Sequence, residues 1–180
     1  MKFKILFESA INLDVALEDI TNILNKHKIP YALIGGLCLG FYKYKRFTED
    51  IDILITEDGY KKLIDLVIGK GYIHTFKDSR GIKNAEFKIP IDFIFSGEQY
   101  GIFVYPNPKD VSVTKNNISI VSLKSLLEIK IASGLANKHR PNDLADAQLL
   151  IKHNTNLPNK ISDNKTVQEK YQELLDLEKS

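Results

Sequence analysis

Residues 31–55, YALIGGLCLGFYKYKRFTEDIDILI, decide how the chain is read. The opening Tyr31-Ala-Leu-Ile34 is an apolar run long enough for a buried strand. Gly35-Gly36 follow; with no Cβ on either, the backbone turns sharply there and comes close to a ligand. Residues 37–42 suit a short helix whose free N–H groups point back at the turn, a favourable place for phosphate oxygens. Arg46-Phe-Thr48 then leads into a second strand, Asp50-Ile-Asp52-Ile-Leu-Ile55.

Alternate side chains of a strand face the same way, so Asp50 and Asp52 share one face and Ile51 and Ile53 the other. Two unpaired carboxylates so close repel, and one tends to pick up a proton. A divalent cation removes that conflict, and Mg²⁺ is usually held by one or two carboxylates plus substrate phosphates. Further along, Ile91-Asp92-Phe-Ile-Phe95 is another apolar strand carrying one acid. Beside the first, it would complete a site for two metal ions.

The order Gly35-Gly36, then Arg46-x-Thr48-x-Asp50-x-Asp52, then a lone Asp92 in a strand resembles the nucleotidyltransferase superfamily of the DNA polymerase β type. Within it, the chain looks most like the small bacterial branch of minimal and AbiEii-like toxin nucleotidyltransferases. The resemblance covers roughly residues 23–151. It implies an α/β (α+β) fold, a mixed sheet flanked by helices, with further helices at the C-terminal end. It implies that Asp50, Asp52 and Asp92 are catalytic and hold Mg²⁺ or Mn²⁺. Gly35, Gly36, Arg46, Thr48 and Lys130 would then serve the nucleotide. Arg46 is suited to neutralise a phosphate, and Thr48 to fix the loop through a local bond to backbone.

AbiEii-like relatives place a lysine on the helix after the catalytic sheet, then an arginine, then acids on the next helix. Lys130, Arg140, Asp143 and Asp146 fall in that order, although the relatives' Lys-Asp pair is Asn142-Asp143 here. Asp143 and Asp146 share a helix face at i, i+3, so a salt-bridge network between helices is an equally good reading of them. The reaction implied moves a nucleoside monophosphate from an NTP to an acceptor hydroxyl and releases pyrophosphate. The acceptor would be a small molecule, an RNA end or a protein side chain. A different reading makes the chain a non-catalytic nucleotide-binding subunit of a toxin–antitoxin pair, with a cognate antitoxin or helical partner. A third, nucleic-acid binding through Lys43, Lys45, Arg46, Lys138 and Arg140, would show a steep salt dependence.

Composition sets the bounds. A chain of 180 residues is one domain, read as 1–153 with its helical C-terminal part, followed by a linker and C-terminal helix over 154–180. A formal net charge of +2 gives little bulk attraction for nucleic acid, though a local basic patch would still act. Cys38 is the only cysteine, which excludes an intrachain disulfide and a cysteine-based zinc cluster. It reads as a small hydrophobe packed inward. The N-terminus is too soon acidic for a signal peptide, and no stretch is apolar for long enough to span a bilayer. A cytoplasmic protein without membrane contact is expected.

The remaining elements follow from periodicity and punctuation. Leu13, Ala16, Leu17, Ile20, Ile23 and Leu24 recur at helical spacing, with Asn12 as N-cap and Pro30 as stop. Thr56 caps a helix over 57–70, and Gly71 suits its C′ position. Residues 72–76 read as a strand, 78–81 as a turn, and 84–88 as the strand that pairs back until Pro90 breaks it. Residues 96–101 and 105–108 are loops, and 118–121 is a short strand. Ser122 caps a helix to Ser133, and 134–140 is a basic connection. Pro141 starts a helix to His153. The segment 154–165 is polar and Pro-broken, and 166–179 is a charged amphipathic helix. His27, His74, His139 and His153 are scattered and read as surface residues.

Overall fold

A computed structural model describes residues 2–77, 79–137 and 140–179, with side chains from residue 12 onward except Pro141. In chain order the elements are α1 (Lys2–Lys26), β1 (Tyr31–Ile34), α2 (Gly35–Gly40), β2 (Ile51–Ile55), α3 (Glu57–Val67), β3 (Tyr72–His74), β4 (Ile82–Asn84) and β5 (Pro90–Phe95). There follow β6 (Gln99–Tyr100), β7 (Phe103–Val104), α4 (Pro108–Val111), β8 (Ser112–Lys115), β9 (Ile118–Val121), α5 (Leu123–Ala136), α6 (Pro141–His153) and α7 (Lys165–Leu177). Seven strands form one mixed sheet in the order β3-β4-β5-β2-β1-β9-β8, while β6 and β7 make a separate hairpin. The pairs β2–β5 and β1–β9 are parallel, and the others are antiparallel. Both β1 and β2 are apolar almost throughout, and the sheet places them at its centre, where β1 is buried at every residue. A near-continuous apolar strand needs cover on both faces, which is why the helices are distributed around this sheet.

Several boundaries differ from the sequence expectation, each for a local reason. Helix α1 begins at Lys2, so Asn12 lies inside it rather than capping it. Residues 2–12 contain neither Gly nor Pro, and nothing there stops the helix from extending upstream. The Thr56 cap forms as expected, its Oγ1 accepting from the Gly59 N–H at 3.1 Å. Helix α3 stops at Val67 because Ile68 turns to extended geometry and bridges Tyr72, while Gly69 takes the left-handed turn at φ +73°. Gly69, not Gly71, is therefore the residue just past the cap.

Strand β4 covers 82–84 rather than 84–88. The Asn84 side chain accepts from the Glu86 and Phe87 N–H groups, which bends 84–88 into a turn that Lys88 completes at φ 58°. Asp78, the first residue of the expected 78–81 turn, lies outside the described residues. Pro90 opens β5 instead of breaking the chain before it; the first residue of a strand is a position that proline tolerates. The loop read over 96–101 contains β6, which turns through Gly101 into β7. Strand β8 was not anticipated. It pairs with β9 through Asn116-Asn117, both at positive φ, the geometry of a tight two-residue hairpin turn.

The Ser122 cap also forms, its Oγ accepting from the Ser125 N–H. Helix α5 nevertheless runs past Ser133 to Ala136. Gly134 does not end it: a methyl group there would lie 2.5 Å from Leu144 Cγ, so this glycine lets α5 and α6 pack closely. Helix α7 lies against α5 and α6. It buries Val167, Tyr171 and Leu174, and the Tyr171 hydroxyl donates to Pro158 O at 2.7 Å. Within the segment before it Ile161 is also fully buried. Among the described residues no helix is long and apolar enough to cross a membrane.

Candidate active site

Parallel pairing of β2 and β5 sets Asp52 directly beside Asp92, and antiparallel pairing of β1 and β2 sets Ile34 opposite Asp52. The chain leaves β1 at that point and turns through Gly35 at φ +67°, a conformation that costs glycine nothing. A methyl group on Gly35 would lie 1.8 Å from Asp52 Oδ2. Glycine is therefore required twice there, by the backbone and by the carboxylate packed on its α-carbon. One on Gly36 would lie 2.8 Å from Thr48 Oγ1 and 3.4 Å from an Arg46 nitrogen, so the basic loop folds onto the second glycine. Thr48 does fix its surroundings, but through a side chain rather than the expected backbone bond: its hydroxyl donates to Asp50 Oδ1 at 2.6 Å.

Carboxylate oxygens of Asp50, Asp52 and Asp92 lie within 4.8 Å of one another. Burial, reinforced by the charges of Asp50 and Asp92, pushes the Asp52 carboxyl up to about 6. Burial and then Asp50 raise Asp92 as well. Three carboxylates crowded this way resist full ionisation until a cation joins them. The donors are all oxygen, a set that suits a hard divalent ion such as Mg²⁺ or Mn²⁺ rather than a thiolate-seeking metal.

The acids open into a cavity of about 430 Å³. It is lined by Gly35, Gly36, Arg46 and Thr48, by Lys130, Ser133, Arg140 and Asp143 from the α5–α6 region, and by Ile94 and Tyr105. Lys130 is 5% exposed. Its ammonium donates to Asp143 Oδ1 at 2.7 Å and pairs with Asp146 Oδ2 at 2.8 Å. Asp146, 2% exposed, also takes Arg46 Nε at 3.2 Å. Burial alone would raise the Asp143 carboxyl, but Lys130, Ser133 and Arg140 together hold it below the usual carboxylate range. The Arg140 guanidinium lies 5.8 Å from the centre of the Tyr100 ring and donates to Ser133 Oγ at 3.2 Å.

All eight residues singled out in the sequence are thus near one another. Gly35, Gly36, Arg46, Thr48, Asp50, Asp52 and Lys130 line the cavity, and Asp92 joins it through the acid cluster. The salt-bridge network read for Asp143 and Asp146 forms, and Lys130 is its centre. Nothing local in the sequence links Asp146 to Arg46, 100 positions away, which it also holds. Tyr105, which the sequence presents only as part of a loop, lines the cavity as well. Cys38 is buried and its thiol is pushed up to about 12 by that burial, which leaves it unreactive. Of the basic residues in the nucleic-acid reading, Lys138 lies outside the described residues, as does His139.

No family model matches the sequence, and no curated protein does. Solved structures match the fold. An antigenic nucleotidyltransferase-like protein from Paracoccidioides brasiliensis superposes with a TM-score of 0.59 at 13% identity, over 91% of this chain and 87% of that one. JHP933 from Helicobacter pylori gives 0.54 at 16% identity, over 94% and 90%. ANT(2″)-Ia in complex with adenylyl-2″-tobramycin gives 0.55 at 10% identity, over 93% and 98%.

Proposed function

The chain has the nucleotidyltransferase-like fold, and from that premise we propose that it is a metal-dependent nucleotidyltransferase moving NMP from an NTP to an acceptor hydroxyl. One observation carries the reading: Asp50, Asp52 and Asp92 converge, and the cavity that Asp50 and Asp52 line is also lined by Arg46 and Lys130. The three acids would hold Mg²⁺ or Mn²⁺, which supplies charge stabilisation for transfer at phosphorus. Asp50, fixed by Thr48, and Asp52, fixed by Gly35, orient the nucleotide. Gly35 and Gly36 keep side chains out of the path of its phosphates. Arg46 and Lys130 face the outer phosphates, the leaving group. Asp92, the most open of the three, receives the proton of the acceptor hydroxyl. Such chemistry rests mainly on positioning and charge, so no larger acid–base set is required.

ANT(2″)-Ia was crystallised with an adenylylated aminoglycoside, so the fold accommodates a small-molecule hydroxyl as acceptor. A small molecule, an RNA end or a protein side chain is the acceptor class proposed for this chain. Incubation with candidate acceptors and each NTP, read by mass spectrometry and radiolabel, tests the reading. Label should move from an α-labelled NTP and not from a γ-labelled one, and Asp92→Asn should abolish transfer while leaving NTP binding largely intact. Transfer of γ-label would make this a kinase-like use of the fold and overturn the reaction class.

A further inference from the structure

Asp52 is braced by Gly35 and Asp50 by Thr48; the brace for Asp92 lies outside every motif named so far. A methyl group on Gly81 would lie 2.6 Å from Asp92 Oδ1, 3.1 Å from Thr75 Oγ1 and 3.6 Å from Ile91 O. The buried α-carbon of Gly81 therefore rests against the carboxylate, and the hydroxyl of Thr75 faces the same narrow gap. Thr75 Oγ1 is itself buried and has no hydrogen-bond partner, the one such side-chain atom among the described residues. A buried donor without an acceptor is expensive, and its retention calls for an explanation. Two acceptors face the same gap, the Ile91 carbonyl and the Asp92 carboxylate, and of these the carboxylate Oδ1 lies nearer the Gly81 position.

The turn that carries these two residues is held in place. The Thr75 N–H donates to Gly81 O at 2.9 Å, closing the mouth of the β3–β4 hairpin. Next to Gly81, Ile82 pairs with Ile91, one residue before Asp92. Tyr60 on α3 donates to Arg80 O at 3.0 Å, and the Arg80 guanidinium lies 4.3 Å from the centre of the Phe95 ring while pairing with Glu98. Both ends of β5 are thereby tied to the hairpin turn.

We propose that Thr75 and Gly81 are positioning residues for Asp92. Gly81, by having no side chain, fixes where the carboxylate sits, and Thr75 supplies a hydroxyl donor to it when the carboxylate serves metal. The inference rests on the metal reading above. Outer-shell partners of this kind typically change metal affinity by about 10- to 100-fold.

The test is titration of the full chain with Mn²⁺ alone, following free Mn²⁺ by its paramagnetic resonance, alongside thermal unfolding without metal. Asp92→Asn should lose the weaker of two bound ions. Gly81→Ala and Thr75→Val should weaken that same ion about tenfold and leave the tighter one alone; Thr75→Ser should behave as wild type. Thr75→Val should unfold at the same temperature as wild type or higher, because it removes an unpartnered hydroxyl and keeps the shape. That separation of metal affinity from stability is not produced by a merely structural threonine. It also keeps the idea testable should Gly81→Ala fold poorly. Wild-type Mn²⁺ binding in both variants would overturn the proposal. Wild-type chain that binds Mn²⁺ no better than Asp52→Asn would overturn the metal reading itself.

Discussion

At the scale of single residues, the site stores unfavourable charge. Asp52 titrates near 6 in the folded chain, above its ordinary 3.8, because it is buried beside Asp50 and Asp92. The folded state thus holds a proton that the unfolded state has released. The sign follows: stability falls as pH rises from about 4 to about 6, and the penalty is fully present above that. Metal-free Asp52→Asn should therefore be more stable than wild type at pH 7.5, by up to about 3 kcal/mol, and equal to it below pH 4. Denaturant melts across pH will show this, and Mg²⁺ should reverse the order by stabilising the wild type alone. A variant less stable than wild type at every pH would mean that Asp52 is held by favourable partners instead. Asp146 should behave in the opposite way. It is buried and answers two cations, Lys130 and Arg46. Asp146→Asn leaves both short of charge, and loss of one member of a buried pair costs about 3–5 kcal/mol. Asp143→Asn should cost less, since Asp143 is more exposed and Lys130 keeps Asp146. Equal losses in the two variants would show that the second cation on Asp146, Arg46, adds nothing to its hold.

At the scale of elements, the contact between α5 and α6 fixes the far wall of the cavity. Gly134→Ala should gain about 1 kcal/mol from helix propensity if the position were free. It is not free: the new methyl group meets Leu144 at both its side chain and its N–H. The expected outcome is a net loss in thermal stability, and a gain would show that α6 moves aside. The same position explains part of what the sequence hides. Gly134 reads as the end of a helix, and only the tertiary partner reveals it as a packing residue. Strands β1, β2 and β9 were legible because their apolar runs are bounded by clear punctuation. Strand β8 was missed although Asn116-Asn117 is a turn signal, because the strand's outward residues carry no apolar alternation. Asp50 and Asp52 were legible because a period of two puts both on one face, and Asp92 because it is the lone acid in an apolar run. The Arg46–Asp146 pair was not, because nothing local links positions so distant. Gly81 reads only as a turn residue and Thr75 only as a strand residue; their nearness to Asp92 comes from the pairing of Ile82 with Ile91.

At the scale of the whole molecule, the last helix bears on the site through α5. Residues 154–180 read as a linker and an added helix, yet Val167, Tyr171 and Leu174 are buried where α7 meets α5, which also carries Lys130. Each such side chain is worth about 1.5–3 kcal/mol when buried. Together they rival the roughly 5–15 kcal/mol by which a domain is stable at all. A chain ending at residue 153 should therefore lose its cooperative thermal transition or show it far lower. An unchanged transition would make the last helix an appendage.

The contact between Gly35 and Asp52 also limits what descent can do with this chain. Any other amino acid at position 35 meets both a carboxylate at 1.8 Å and a backbone turned the wrong way for a side chain. Compensation would have to change the turn and the acid together. A lineage that keeps the three acids in this geometry has no single-step route through that position. Position 35 therefore sorts sequences: a relative with the acids but without this glycine is predicted to have given up the arrangement that the acids serve.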